Sequence, residues 1–469
     1  MSQQPNDSRT YLPDFIYDGA RFYRGRALVV EKSGATVVHE DDENAGETVR
    51  IKDRAILPGL VNAHSHAFQR VIRGRTEHRS LESKDSFWTW REMMYSAASR
   101  LSPDDVYDAS RMAFLEMALC GITSVGEFHY LHRDPTGHAY DDPNLLAKQV
   151  VRAARDVGLR IALLRVAYAR SGYQIPANER QKRFIEEDPA TFLRNLDQLK
   201  TELERDHEAG TAWVGVAPHS VRAVPLDYLR EVSAFAQEHG LPVHMHVAEQ
   251  PAENQASIVE YGKSPVALLA DNEILNERFT AVHAVHVTGD EAKMLGESRA
   301  IVCACPTTER NLGDGIVPAD LFFQNGVRIA FGTDSHTQID LLEDARELEY
   351  HLRLARVERN VLAPESQDKS ALAAKLFDSA VVNGLASIGA RSEASGARRP
   401  ADFFTVDLND PSIAGASEDD LLSNIVFSMS RSAVRDVFVG GEQLVKDGRH
   451  RAQDEIIEAF VGLQKRLWT

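Results

Sequence analysis

Cysteine is scarce in this chain, three in 469 residues, so a disulfide framework is not what holds it together. Cys303 and Cys305 stand two apart in one apolar run, the texture of a buried strand, and a reducing cytoplasm is the expected compartment. No apolar run reaches the roughly 18 residues of a membrane-spanning helix. The opening MSQQPNDSRTYLPDF lacks the basic and apolar stretches of a signal peptide, so the chain is expected to be soluble and unexported. Positive charge is in deficit: 53 Lys and Arg stand against 70 Asp and Glu, a formal net charge of -17. Phosphate backbones and anionic membranes attract basic patches, so neither is an expected partner. An anionic small molecule stays possible if local arginines receive it. Low-complexity tracts and solenoid repeats are also missing.

What is present is a rhythm. From Arg54 onward, short runs rich in Val, Ile and Ala end in polar residues and give way to longer amphipathic segments. Eight such runs predict strands over Ala55–Asn62, Gly121–Phe128, Arg160–Tyr168, Trp213–His219, Leu241–Val247, Phe279–His286, Ala300–Pro306 and Val327–Gly332. Asp104–Leu119, Pro225–His239 and Leu342–Val357 carry helical spacing between them. Eight parallel strands joined by helices predict an α/β fold, a (β/α)8 TIM-like barrel over residues 55–395.

The two ends read differently. Asp14–Tyr17, Ala27–Val30 and Thr36–Val38 alternate around turns, and Asp402–Gly448 has the same texture. Residues 1–54 and 396–469 are therefore expected to pair into one small discontinuous β-sandwich, with Arg391–Pro400 as the loop that leads to it.

The strand ends carry the chemistry. LPGLVNAHSHAFQR puts His64 and His66 two apart, so both imidazoles leave the strand on one side. Alone, such a pair reads equally as a hydrogen-bonded polar cluster. LPVHMHVAEQ adds His246 at the end of strand five, with Glu249 three residues later where the chain can turn a carboxylate to the same place. His244 points inward but deeper, and is expected to pack and hydrogen-bond behind the ligands. FTAVHAVHVTG and VRIAFGTDSH contribute His283 and Asp334 at the ends of strands six and eight. A buried Asp after an apolar strand calls for a partner, and three His with one Asp suit a divalent ion of the zinc type.

This pattern resembles the amidohydrolase superfamily, with its HxH after strand one, His after strands five and six, and Asp after strand eight. Strand four, WVGVAPHSVRAV, offers no Lys or Glu as a bridging ligand, which implies one metal ion, zinc or alternatively Fe2+, held by His64, His66, His246 and Asp334. More narrowly, HSHAFQR, DSFWTWREMMY, EFHYLH, APHSVRAV, HMHVAEQ and CPTTERNLGDG look like the formimidoylglutamate deiminase family of bacterial histidine degradation. The resemblance implies deamination of N-formimidoyl-L-glutamate, with Glu249, His283 and Asp334 as catalytic groups. It also implies Arg91 and Arg222 as partners of the substrate carboxylates, beside Gln69, Tyr130 and His219. Arg91 reads equally as a helix cap or a cover for aromatic surface, and Tyr130 as packing. A homodimer is the expected assembly. A deaminase of another guanidino acid or of a heterocycle, and a non-enzymatic barrel relative, are the other readings.

Overall fold

A computed structural model describes residues 8–31, 34–39, 47–78, 87–206, 210–390 and 400–469 of the chain. Eight parallel strands form one sheet in sequential order: β1 (Leu60–Ser65), β2 (Ile122–His129), β3 (Arg160–Ala167), β4 (Ala212–Pro218), β5 (Val243–Val247), β6 (Phe279–His283), β7 (Ile301–Ala304) and β8 (Arg328–Phe331). Helices follow most of these strands, among them Pro103–Leu119, Leu226–His239 and Leu341–Arg356. Strands β1, β2, β5 and β6 are buried along their whole length, as expected of parallel strands covered on both faces.

The sheet closes on itself where β8 meets β1. The Asp334 N–H donates to the His64 carbonyl and the His66 N–H donates to the Asp334 carbonyl, each at 3.1 Å. One residue pair deeper, the Thr333 N–H donates to Asn62 Oδ1 at 3.0 Å, and Asn62 Nδ2 donates to Thr333 Oγ1 at 2.7 Å. The barrel is thus sealed at the point where its first and last strands present their polar ends.

The terminal segments build a second sheet of nine strands, from Arg9–Tyr17 through Arg449–His450. The expected sandwich is one continuous sheet, in which Arg9–Tyr17 pairs parallel with Glu47–Pro58, and Glu47–Pro58 pairs antiparallel with Phe403–Asp407. Its strands share an apolar cluster of Tyr11, Leu28, Val30, Ile56, Phe403 and Phe438, so one face encloses a core of its own. The predicted run Ala55–Asn62 is split between the two sheets. Ala55–Pro58 belongs to the terminal sheet, and the barrel strand starts at Leu60. The hinge is Gly59, where an added Cβ would lie 2.3 Å from Thr123 Oγ1, so only glycine lets the chain cross over without a loop. Residues 391–399 of the expected connecting loop lie outside the described residues. Among the described residues, no helix is long and apolar enough to cross a membrane.

Candidate active site

At the C-terminal ends of the barrel strands, four ligand atoms from three strand ends converge. His64 Nε2 lies 3.2 Å from His66 Nε2 and 3.2 Å from His246 Nε2. Asp334 Oδ1 lies 3.2 Å from His64 Nε2 and 3.1 Å from His66 Nε2. Burial holds His64 down to about 3 and His246 well below the usual histidine range, so both rings are neutral and carry lone pairs. Burial alone would raise Asp334, yet hydrogen bonds from His64 and His66 keep it ionised, well below the ordinary carboxylate range.

Imidazole nitrogens this close to one another, two of them beside one carboxylate oxygen, call for a cation between them. A tetrahedral ion with ligands at about 2.0 Å has ligand–ligand edges of about 3.3 Å, close to these four spacings. These four residues therefore fit a zinc-type ion. Surrounding groups fix their orientation: His66 Nδ1 donates to the Phe128 carbonyl at 3.0 Å, which aims Nε2 at the centre. Glu127, buried within β2, accepts from Ser65 Oγ and, at 2.7 Å, from the Ala67 N–H, and so braces both flanks of His66.

Backbone strain gathers here. Ala248 (φ 51°), His283 (φ 70°), Ala284 (φ 49°) and Asp334 (φ 42°) occupy the left-handed region that non-glycine residues seldom enter. Each turns the chain off its strand and brings Glu249, His283 or Asp334 over the barrel mouth. Glu249 Oε1 then stands 3.8 Å from His283 Nε2, and Asp334 Oδ2 stands 4.0 Å from the same nitrogen. Burial, reinforced by Asp334 and Glu309 and opposed by His283, pushes the Glu249 carboxyl up to about 7, suited to both taking and giving a proton near neutrality. His283 is pulled down by burial, but Glu249, Glu309 and Asp334 together hold it well above its ordinary value.

A cavity opens above these groups. Gln69, Arg91, Tyr130, His219 and Arg222 all line it, together with His66, His246, Glu249, His283 and Asp334. Gln69 Nε2 donates to the Tyr130 hydroxyl at 2.8 Å. Arg222 is held by the Ser171 carbonyl, which its Nη1 reaches, and stays charged because Tyr168 and Tyr95 outweigh the cost of burial. Arg91 lies over the Trp88 ring at 4.4 Å and the Tyr95 ring at 5.5 Å, so it covers aromatic surface and faces the cavity at once. His219 packs against Tyr168, ring centroids 4.5 Å apart.

Several lining residues escape sequence reasoning. Tyr95, Tyr168 and Phe184 carry no pattern that sets them apart from core aromatics. Glu253 had a signal, four residues beyond Glu249, and its Oε2 accepts the Glu249 N–H at 3.2 Å. His244, expected to pack and hydrogen-bond deeper in the barrel, is fully buried and bonds the Ser387 carbonyl at 2.9 Å. Thr280 of β6 meets the Ser387 hydroxyl at 3.0 Å, so both side chains anchor the helical segment that carries Ser387.

A second buried group, His283, Cys305 and Glu309, also has ligand-type atoms within 4.8 Å of one another. Hydrogen bonds account for it. Glu309 Oε1 accepts His283 Nδ1–H at 3.2 Å and the Cys305 N–H at 2.9 Å. Burial keeps the Cys305 thiol well above its ordinary value, hence protonated and a poor ligand.

Comparison with known proteins agrees with this geometry. The chain is 38% identical to formimidoylglutamate deiminase of Pseudomonas aeruginosa, over 97% of both chains. It is 27% identical to 5-methylthioadenosine/S-adenosylhomocysteine deaminase of Pyrococcus abyssi, over 89% of each. A crystal structure of an amidohydrolase from Brucella melitensis superposes with a TM-score of 0.89 at 34% identity, covering 98% of this chain and 100% of that one. A zinc-bound adenosine deaminase from Xanthomonas campestris shares the fold, with a TM-score of 0.81 at 21% identity over 98% of both chains. The model of the amidohydrolase family matches residues 55–444, the whole barrel and most of the C-terminal part of the second sheet, and the chain belongs to that family.

Proposed function

We propose that this enzyme hydrolyses N-formimidoyl-L-glutamate to N-formyl-L-glutamate and ammonia, a step of histidine degradation, with one zinc ion (alternatively Fe2+) held by His64, His66, His246 and Asp334. The observation that carries this reading is a single cavity lined both by two arginines, Arg91 and Arg222, and by His66, His246, Glu249 and Asp334. A relative named formimidoylglutamate deiminase, at 38% identity over 97% of the chain, supports the same substrate.

When bound, the ion supplies an activated water as the nucleophile. Asp334, ionised, orients that water and holds its proton at Oδ2, the oxygen turned toward His283. Glu249 carries a proton to the terminal nitrogen of the amidine, which leaves as ammonia, and His283 Nε2 steadies the charge that develops on the reacting carbon's substituents. Arg91 and Arg222 bind the two substrate carboxylates on the glutamyl side, which keeps the internal nitrogen away from Glu249. Gln69, Tyr130 and His219 complete the wall around the formimidoyl group.

The working unit is a cytoplasmic homodimer in this reading. Three buried, unpaired cysteines suit a reducing compartment, and a monomer in light scattering at assay concentration would remove the dimer. The activity is tested by comparing kcat/KM for N-formimidoyl-L-glutamate with that for a guanidino acid and for an adenine nucleoside. A preference of at least about 100-fold for the formimidoyl compound is expected. A preference for either competitor overturns the substrate assignment.

A further inference from the structure

Glu309 is not among the described residues that line the cavity, but it bonds one that is, His283. Glu309 is 1% exposed, and its Oε1 accepts both the His283 Nδ1–H and the Cys305 N–H, at 3.2 and 2.9 Å. The second bond alone would make Glu309 a cap for the short helix Pro306–Leu312. The first bond gives the carboxylate another task, because His283 is unusually placed. It is the last residue of β6, and it and Ala284 are both left-handed, so the ring leaves the strand at a sharp turn. The ring lies nearly parallel to His246, at an interplanar angle of 15°, a contact that leaves rotation within the ring plane free. A hydrogen bond at Nδ1 fixes it. With the proton on Nδ1 directed to Glu309, Nε2 faces Glu249 and Asp334 across the cavity.

We propose that Glu309 is a positioning residue: its Oε1 holds His283 Nδ1–H and thereby fixes the orientation with which His283 Nε2 meets the substrate. The proposal rests on the deiminase activity given above. Position is what matters, because a single oxygen receives both donors; an amide oxygen in the same place serves as well.

Two substitutions separate the roles. Glu309→Gln keeps the acceptor, and kcat should stay within about threefold of the wild type. Glu309→Leu keeps the volume and removes the acceptor, and kcat should fall roughly 10–100-fold, with KM and metal content unchanged. In a His283→Asn background, Glu309→Leu should change the residual kcat less than about twofold, since the group it acts through is gone. The same loss in both backgrounds, loss of the metal ion in the Leu variant, or a second ion per wild-type chain that the Leu variant lacks, each overturns the proposal. Nitrogen-15 NMR of histidine-labelled full-length protein, with His283→Asn for assignment, reads the ring directly. A protonated Nδ1 is expected in the wild type and in Glu309→Gln, and an unprotonated Nδ1 in the wild type overturns the proposal even if the Leu variant fails to fold. Absence of turnover in the wild type would instead count against the substrate, leaving the NMR result to decide Glu309.

Discussion

The backbone of Asp334 is clasped by the ligand pair of the first strand, its N–H on the His64 carbonyl and its carbonyl on the His66 N–H, both at 3.1 Å. Barrel closure and assembly of the metal group are therefore one event. The side chains that hold the ion are spaced by the same hydrogen bonds that join β8 to β1.

Asn62 bonds Thr333 through both ends of its amide, next to that seam, and is fully buried. Asn62→Ala should loosen the register between Asp334 and His66 and weaken metal affinity about 10–100-fold, the usual effect of losing an outer support. Chelator competition measures it; unchanged affinity would show that the seam does not govern the ligand spacing.

Glu249→Gln should leave metal content and fold intact while kcat falls about 100- to 10,000-fold, because the amide fills the same space but carries no proton. Kinetics with metal analysis on the same preparation checks this, and near-normal turnover would remove Glu249 from the chemistry.

The same substitution has a consequence for stability that can be signed. Burial raises the Glu249 carboxyl from 4.5 to about 7, so the folded state prefers its protonated form. Its contribution to stability is fully present below pH 4.5 and is lost as pH rises through about 7. Glu249→Gln, which cannot ionise, should therefore be more stable than the wild type at pH 8, by at most about 3 kcal/mol. The difference should vanish near pH 4.5. Denaturant unfolding at both pH values measures this, and a variant that is less stable at pH 8 contradicts the assigned burial.

Arg222→Met should raise KM roughly 10–100-fold with little change in kcat, as expected for loss of a charge-assisted contact remote from the reacting carbon. Arg91→Met should have a smaller effect, because Arg91 is held by the Trp88 and Tyr95 rings, whereas Arg222 is anchored by the Ser171 carbonyl. Unchanged KM in both variants would take the carboxylate contacts away from these arginines.

Residues that act through strand alternation were legible in the sequence. His64 and His66 share a face because β1 has a period of two, and His246 ends an apolar run that can only be a buried strand. The barrel itself was legible through eight apolar runs, each ending in polar residues and giving way to a longer amphipathic segment. What was hidden depends on tertiary approach. The split of Ala55–Asn62 between two sheets falls at Pro58–Gly59, a turn signal in the sequence; what the sequence does not show is that Thr123 leaves no room for a side chain at the crossover. Glu309 looks like any acidic residue early in a helix until the helix after β7 is set against His283. His244 and His246 share a face by alternation and differ in depth along the strand, which the sequence shows; the Ser387 carbonyl that His244 bonds it does not.

In the proposed reaction Glu249 serves the terminal nitrogen of a formimidoyl group whose glutamyl side is held by arginines. The reaction fixes the products: water adds at the amidine carbon, the bond to the terminal nitrogen breaks, and N-formyl-L-glutamate and ammonia remain. Carbon-13 NMR of N-formimidoyl-L-glutamate labelled at the formimidoyl carbon, run alongside an ammonia assay, tests it most directly. N-formyl-L-glutamate and ammonia should appear mole for mole with substrate lost, in a reaction that stops when the metal is chelated. Formamide and glutamate as the main products would contradict it, because Glu249 would then be serving the internal nitrogen.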